Sequence, residues 1–267
     1  LVLVAGLFMS AARADVLVLV HGYLGSAQSW DTSGVTAVLE NHGWQRAGVF
    51  VSGPGGNQLI PAPGNTGERI FYTVDLPSEA PVLVQSFQLR QILQSINTLH
   101  ANEPISIVGH SAGGVVARVA LVRGDIDNIK SLITIASPHL GTGRAEQALD
   151  ITDVPFPLSM VTDFFGGTTY DTAMRSRSLF VDLVRQRPGT LLFWLNSLPH
   201  PDIEYFSVVR GQPALMTGDY IVPGYSQDMN NVPALQGRSS LIKVNNTYHG
   251  LNVLDGSVIV SVLADTI

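Results

Sequence analysis

The chain has 267 residues, of which 13% are charged and 45% are hydrophobic, and its formal net charge at pH 7 is −6. Its 15 lysine and arginine residues form no basic stripe, which argues against a nucleic-acid partner. Because there is no cysteine, disulfides, thiolate metal sites and a cysteine nucleophile are excluded. The low charge favours either an apolar surface that contacts lipid or polymer, or a well-buried α/β core.

The first 14 residues, LVLVAGLFMSAARA, have the apolar run and the A-x-A cleavage pattern of a secretory signal peptide. The mature chain is therefore expected to begin at Asp15 and to be secreted or periplasmic. An additional N-terminal strand or a short membrane anchor is the alternative, although a bilayer span needs about 20 residues. No other segment of the sequence qualifies as transmembrane.

Predicted strands and helices alternate from Asp15 onward. Short apolar runs between turn residues predict strands covered on both faces, and apolar residues every three or four positions predict helices. In chain order these are a strand at 15–22, a helix at 28–42, strands at 48–53 and 69–76, a helix at 78–102, a strand at 104–111, a helix at 112–124, strands at 128–138, 203–211 and 240–246, and a helix from about residue 257. This alternation implies an α/β fold with a mostly parallel sheet and helices on both faces.

Three further features complete this prediction. The Gly-, Pro- and Asn-rich stretch 53–67 predicts a loop, and Ser78 is the expected N-cap of the helix at 78–102. Residues 140–200 interrupt the alternation with short, apolar helical pieces, which we interpret as an insertion over one end of the sheet. No linker divides the chain, so residues 15–267 are expected to form one domain.

The stretch IVGHSAGGVV (107–116) places Ser111 between Gly109 and Gly113, directly after a predicted strand and before a predicted helix. In that context G-x-S-x-G indicates a nucleophile elbow, a sharp turn that lifts the serine hydroxyl clear of the sheet. The Ala112 N–H lies at the start of the helix, where it would stabilise an oxyanion. An incidental serine in a glycine-rich turn is the alternative.

A nucleophilic serine needs a histidine base that a carboxylate orients, and after such an elbow the chain order is serine, acid, histidine. Of the histidines that follow Ser111, His249 lies in NNTYHGLN between the last predicted strand and the last helix, and is the expected base. His139 comes too early to follow the acid. His200 stands between two prolines and is expected in a surface turn.

The orienting acid is expected after a strand that lies between the serine and the histidine. Asp219, in TGDYIVPG, follows the predicted strand at 203–211 and is the leading candidate. Asp202 precedes that strand rather than following it. Asp228 lies in a polar loop with two asparagines and could instead be solvated.

A second oxyanion donor is expected from the loop after the first strand, HGYLGS (21–26). The Tyr23 N–H is the candidate donor. His21 and Gly22 would shape this turn and, with His110, are expected beside the substrate. Chain order argues against His21 as the base.

Several of these motifs together resemble those of the α/β-hydrolase superfamily, and more narrowly those of bacterial triacylglycerol lipases and of lipases similar to inositol deacylases. They are LVHGYLGS, GHSAGG, ASPHLGT, GDYIVP and YHGLN. The resemblance covers most of residues 15–260. Two departures are Tyr-Ile after the acid, where the family often has glycine, and the lack of an evident carboxylate pair for a structural calcium, for which Asp255 is the available ligand.

The resemblance implies the roles of particular residues. Ser111, Asp219 and His249 would form a catalytic triad, with the N–H groups of Tyr23 and Ala112 as the oxyanion hole. Residues 140–200 would form a cap or lid, either mobile at an oil–water interface or fixed as a wall of the acyl pocket.

The predicted function is that of an exported serine ester hydrolase, a lipase or esterase that forms an acyl-enzyme on an ester or lipid substrate. It requires no cofactor, and transient contact with a lipid interface is expected. An amidase, a thioesterase or a polyester hydrolase would use the same triad. A catalytically inactive hydrolase fold that binds a ligand or partner is the alternative from a different class.

Overall fold

The computed structural model describes residues 15–53, 55–64, 67–101, 103–124, 126–153, 170–211 and 218–265. The segment 1–14, interpreted above as a signal peptide, lies outside the described residues.

The described residues form an eight-stranded sheet. Its strands are β1 (Asp15–Val20), β2 (Gln45–Gly53), β3 (Gly56–Pro61), β4 (Arg69–Asp75), β5 (Ile105–His110), β6 (Ile129–Ile135), β7 (Glu204–Gly211) and β8 (Ser239–Asn245). They lie in the order β3-β2-β4-β1-β5-β6-β7-β8. β3 runs antiparallel to β2, and the other neighbouring strands pair in parallel, so the mostly parallel sheet predicted from the sequence is confirmed.

The helices of the described residues are α1 (Ser29–Thr32), α2 (Val35–Asn41), α3 (Val82–Leu99), α4 (Ala112–Val122), α5 (Gly143–Asp153), α6 (Tyr170–Arg175), α7 (Arg177–Leu183), α8 (Leu191–Ser197), α9 (Gly224–Gln227) and α10 (Val253–Asp265). They cover both faces of the sheet. On β1, Val16 and Val18 pack with α3 and α4, whereas Leu17 and Leu19 pack with α2 and α10. A strand buried on both faces has no polar side, which is why β1 is a continuous apolar run.

One strand lies where the sequence predicts a loop. Within the stretch 53–67, β3 folds back on β2 in a hairpin whose register runs from Gly53 opposite Gly56 to Gly48 opposite Pro61. Gly56 has φ +99°, a conformation that glycine adopts without strain. The prediction was wrong because an exposed edge strand needs little apolar sequence, and the flanking Gly and Pro residues dominate the pattern.

Some helix boundaries also differ from the predicted ones. The predicted helix at 28–42 is divided into α1 and α2 at Gly34, which has φ +80°. α3 begins at Val82, and Ser78 is not its N-cap, because Pro81 has an extended ψ of 146°. The Val82 N–H, the first of the helix, donates to Asp182 Oδ2 of α7 at 2.8 Å. The last helix, α10, begins at Val253, ahead of the predicted start.

Helices α5 to α8 lie in the segment predicted as an insertion, and we call them the cap helices. Residues 154–169, with Phe156, Phe164 and Phe165, lie outside the described residues. α7 buries Phe180, whereas α8 exposes Phe193 and Trp194. In the described ranges no helix has the length and apolar character needed to cross a bilayer.

Candidate active site

Ser111 stands at the turn between β5 and α4, with φ 53° and ψ −127°. A positive φ is uncommon for a residue other than glycine, and such strain is found at functional turns. A Cβ atom on Gly109 would lie 2.5 Å from Gly114 Cα, and one on Gly113 would lie 2.3 Å from the His21 carbonyl oxygen. Both glycines are therefore required by the close approach of backbone segments around the serine.

Ser111, His249 and Asp219 form a continuous chain of hydrogen bonds. His249 Nε2 lies 2.8 Å from Ser111 Oγ, and His249 Nδ1 lies 2.8 Å from Asp219 Oδ2. Because a carboxylate only accepts, Nδ1 carries the imidazole proton, and Nε2 is left to accept the proton of the serine hydroxyl. The arrangement therefore prepares the serine for nucleophilic attack.

The carboxylate of Asp219 is buried and held by three donors. Oδ1 accepts from the N–H groups of Ile221 and Val222 at 2.8 and 2.7 Å, and Oδ2 accepts from Gln227 Nε2 at 3.4 Å. These bonds compensate the burial of a charge and leave Oδ2 facing His249.

The other candidate carboxylates are used elsewhere. Asp228 accepts from the backbone N–H and the side-chain amide of Asn230, and so caps a short 3₁₀ turn. Asp202 is exposed and pairs with Arg238 at 3.3 Å. In the described residues, Asp219 is the one of these three carboxylates that contacts the imidazole of His249.

The two expected oxyanion residues line the same cavity as the serine. Ala112 is the first residue of α4, whose N-terminus carries partial positive charge. Gly22 packs so closely on the elbow that a Cβ atom there would lie 2.7 Å from Ser111 Cβ. Tyr23 follows it, and its ring makes an edge-to-face contact with Phe180 of α7 at a centroid distance of 5.3 Å.

His21 and His110 are buried neutral histidines with different contacts. Burial lowers the pKa of His21, whose Nε2 accepts from the Leu76 N–H at 3.0 Å while Nδ1 donates to the Gly22 carbonyl at 2.9 Å. It thus supports the turn after β1. Burial lowers the pKa of His110 well below its usual range, with a further contribution from the neighbouring His249. Its Nε2 donates to the carbonyl oxygen of His249 at 2.8 Å.

A cavity of about 380 Å³ opens above Ser111. Its lining includes the predicted site residues Tyr23, His110, Ala112 and His249, together with Tyr220 and Tyr248. The apolar part of the lining includes Leu24, Pro138, Ala145, Phe180, Leu183, Ile221 and Val222. Among these described residues there is no Asp, Glu, Lys or Arg, so the cavity suits an uncharged, largely apolar group.

The two remaining candidate histidines belong to a separate buried cluster around Arg118 of α4. Arg118 Nη2 donates to Asn196 Oδ1 at 2.8 Å and to His200 Nε2 at 2.9 Å, and Nη1 lies 3.3 Å from His139 Nδ1. His200 is therefore buried and not in the predicted surface turn. Burial lowers the pKa of Arg118 to about 9, since these partners are all uncharged acceptors.

This cluster predicts that the protein loses stability in acid. Burial and the charge of Arg118 lower the pKa of His200 to about 4, and they hold the pKa of His139 well below 6.5. Tyr205 and Arg238 also face His200, but neither carries a negative charge between pH 4 and pH 7. In the unfolded chain both histidines bind a proton below about pH 6.5. The folded state does not, so the free energy of unfolding falls from pH 6.5 toward pH 4, by about 3 kcal/mol for His200 alone.

Urea unfolding at pH 7 and pH 4.5 measures this loss. His200→Gln keeps an acceptor for Arg118 but does not titrate, so the variant should show a smaller difference between the two pH values. His42→Gln, at an exposed histidine beyond the end of α2, is the matched control and should leave the difference unchanged. Equal pH dependence in His200→Gln and in the wild type would contradict the prediction.

Asp255, considered above as a calcium ligand, is instead paired with a buried cation. Its Oδ2 lies 2.6 Å from Arg210 Nη2 and accepts from the Asn252 N–H at 2.8 Å. In the part of the chain that the structure describes, no group of three or more His, Cys, Asp or Glu side chains is arranged to hold a metal ion.

Sequence reasoning overlooked two residues that contact the site, Gln227 and Arg210. The Gln227 amide reaches the acid Asp219, and its oxygen accepts from the Arg210 N–H at 2.8 Å. One sequence signal was available: Arg210 is a charged residue at the end of the apolar run YFSVVRG. A charge at that position is expected to have buried partners.

Comparison with known proteins shows the family. The sequence profile of the PGAP1-like alpha/beta domain matches residues 13–152, which include β1, the elbow and all of α5 except its last residue, but neither Asp219 nor His249. No curated protein matches the chain in sequence.

Solved structures show the same fold at low sequence identity. The mature form of the lipase BlEst2 from Bacillus licheniformis has a TM-score of 0.59 and 14% identity over 95% of this chain and 93% of that one. A lipase-esterase related protein from Clostridium acetobutylicum has a TM-score of 0.57 and 13% identity, covering 96% of both chains. Est1E from Butyrivibrio proteoclasticus has a TM-score of 0.55 and 13% identity over 96% of this chain and 89% of that one. The fold is that of the α/β-hydrolase superfamily.

Proposed function

This chain belongs to the PGAP1-like alpha/beta domain family, and we propose that it is a serine hydrolase of carboxylic esters, acting through Ser111, His249 and Asp219. The observation that carries the proposal is the unbroken hydrogen-bond chain from Ser111 Oγ to Asp219, with the serine on a strained turn at the floor of an apolar cavity. The fold alone would not support it, because the same fold carries many activities.

The proposed reaction begins when Ser111 Oγ attacks the ester carbonyl carbon while His249 Nε2 takes the hydroxyl proton. The carbonyl oxygen becomes an oxyanion beside the N–H groups of Ala112 and Tyr23. The tetrahedral intermediate then expels the alcohol, which receives the proton from His249, and leaves an acyl-enzyme. A water molecule then attacks the acyl carbon while it gives a proton to His249 Nε2. The bond from that carbon to Ser111 Oγ breaks, Oγ takes the proton back from His249, and the carboxylic acid leaves.

The cavity supports an ester with an apolar acyl group. Its lining is uncharged, and Phe180 and Leu183 of α7 form part of the wall. Leu24, Tyr220 and Tyr248 line the same cavity and are exposed at its mouth, where they would contact the rest of the substrate or a lipid surface. The amidase, thioesterase and polyester hydrolase alternatives differ only in the group bonded to the acyl carbon. An inactive binding protein would not need the serine–imidazole contact.

We propose that α7, the cap helix that forms part of the cavity wall, is fixed in place. The Asp182 carboxylate accepts from the first N–H of α3, the Leu183 carbonyl accepts from the Thr142 N–H at 3.0 Å, and Arg185 pairs with Glu146 of α5. A wall held on both sides predicts a smooth saturation curve for a short-chain ester through its solubility limit. A mobile lid would give a rise in specific activity at that limit.

A chain-length series of p-nitrophenyl esters, together with labelling by a fluorophosphonate probe, tests this function. The probe should label the wild type at Ser111, and the esters should be turned over.

Phe180→Ala should raise the kcat/KM of long-chain relative to short-chain esters by about tenfold, because an aromatic ring is removed from the wall of the cavity. Phe193→Ala, on the exposed face of α8, is the matched control and should not shift the preference. A folded wild-type protein that the fluorophosphonate does not label would contradict the proposed serine hydrolase function.

Export is a further part of the proposal. Asp15 is the first residue of β1, and its N–H donates to the Glu68 carbonyl at 2.8 Å, so cleavage after Ala14 would leave the sheet intact. N-terminal sequencing of exported protein should therefore read DVLVLV. Exported protein that still begins with Leu1 would contradict this.

A further inference from the structure

Arg210 is a buried cation near the proposed active site that the proposed chemistry does not use. It lies near the end of β7, and its side chain is fully buried. Nη1 lies within hydrogen-bonding distance of three consecutive carbonyl oxygens of the loop after β8, which share its two N–H groups: those of Tyr248 at 2.8 Å, of His249, and of Gly250 at 2.9 Å. Nη2 forms the ion pair with Asp255 at the start of α10.

The same residue is also connected to the loop that carries the acid. Its backbone N–H donates to Gln227 Oε1, and the Gln227 amide nitrogen donates to the Val222 carbonyl at 2.8 Å and to Asp219 Oδ2 at 3.4 Å. Arg210 therefore contacts the histidine loop through its side chain and is connected to the acid loop through Gln227, which its main-chain N–H contacts.

We propose that Arg210 is a positioning residue that sets the placement of His249 relative to Asp219 and Ser111, with Asp255 as its counter-ion. The inference rests on the proposed function for its catalytic consequence, but not for its structural one. His110 completes the arrangement, because its Nε2 donates to the same His249 carbonyl oxygen that Arg210 contacts. The carbonyl of the proposed base is thus held from two sides.

The geometry explains why an arginine occupies this position. Carbonyl and carboxylate oxygens only accept, and a guanidinium presents several donors in one rigid plane. A lysine ammonium at the same place has three donors on a flexible stem, and could bond Asp255 and part of the loop but not the whole set. Without any cation, the three carbonyl oxygens lose their shared donor, and the loop that carries the imidazole is free to shift.

The test removes both charges together, so that neither is left buried and unpaired. In Arg210→Met/Asp255→Asn, kcat per titrated active site should fall about 100-fold with little change in KM, as expected for a displacement of about 1 Å of a catalytic group. Arg210→Lys should recover part of this loss. The double variant Arg46→Met/Asp31→Asn removes an ion pair between β2 and α1, neither residue of which lines the cavity, and is the control that should keep wild-type kcat.

Two measurements distinguish positioning from general destabilisation. Burst titration with a fluorophosphonate or a p-nitrophenyl ester counts the active sites, so that kcat refers only to folded enzyme. Proton NMR of the full chain detects the proton on His249 Nδ1. Because this proton is hydrogen-bonded to the Asp219 carboxylate, it should resonate far downfield. That resonance should be present in the wild type and in the control variant, and weakened or lost in Arg210→Met/Asp255→Asn.

Each outcome decides the inference. A folded double variant with wild-type kcat per site and an unchanged downfield resonance overturns it, as does an activity loss fully explained by fewer titratable sites. If Ser111→Ala keeps its ester turnover, the proposed function fails. The resonance then still shows whether Arg210 positions the imidazole, so the two failures are distinguishable.

Discussion

Replacing Ser111 with alanine is expected to lower ester turnover by about 10⁶-fold, because the nucleophile of the proposed acyl-enzyme is removed. The fold should survive. The Ser111 N–H bonds to the Ile135 carbonyl at 2.9 Å, and this backbone contact does not depend on the side chain. The lost atom is the Oγ that contacts His249. Turnover of p-nitrophenyl esters and fluorophosphonate labelling measure the loss, and thermal unfolding checks the fold.

Ser95→Ala is the matched control for this prediction. Ser95 lies on the exposed face of α3, where its Oγ bonds only the Gln91 carbonyl of the preceding turn in the described structure. Its replacement should leave turnover and labelling unchanged. Wild-type turnover in Ser111→Ala would rule out Ser111 as the nucleophile.

Asp219→Asn is expected to lower kcat by about 10⁴-fold while keeping the shape of the site. The Ile221 and Val222 N–H groups would hold the amide oxygen in place of Oδ1, which turns the amide N–H₂ toward His249 Nδ1. Nδ1 must then be unprotonated, so the proton moves to Nε2, which can no longer accept from Ser111 Oγ. The measurement is kcat on a soluble p-nitrophenyl ester, normalised by burst titration of active sites.

Asp228→Asn separates this effect from the loss of any nearby carboxylate. Asp228 is also buried, but it caps a 3₁₀ turn and bonds Asn230 rather than His249. Because asparagine caps a helix about as well as aspartate, its replacement should leave kcat close to the wild-type value. A larger loss of kcat in Asp228→Asn than in Asp219→Asn would mean that the acid has been misassigned.

The cluster around Arg118 is a feature that chain order could not predict. Chain order argued against His139 as the base, whereas His200 was set aside because it stands between two prolines. Chain order could not show that both would lie against one buried guanidinium, because α4, the loop after β6 and the segment after α8 meet only in the folded chain. The expected surface turn at His200 was wrong for this reason: two flanking prolines describe the local backbone, not what packs over it.

The residues 15–22, 104–124 and 128–138 by themselves determined the central part of the fold. Strands buried on both faces need continuous apolar runs, and the elbow needs small residues around Ser111, so local sequence carries this information. The tertiary structure alone decided the attachment of α3 to α7 and the use of Arg210 and Gln227. These depend on hydrogen bonds between segments far apart in the chain, such as Arg210 with residues 248–250 and Asp255. No local propensity or spacing encodes such a contact, because its free energy exists only when the distant partner has been brought into place.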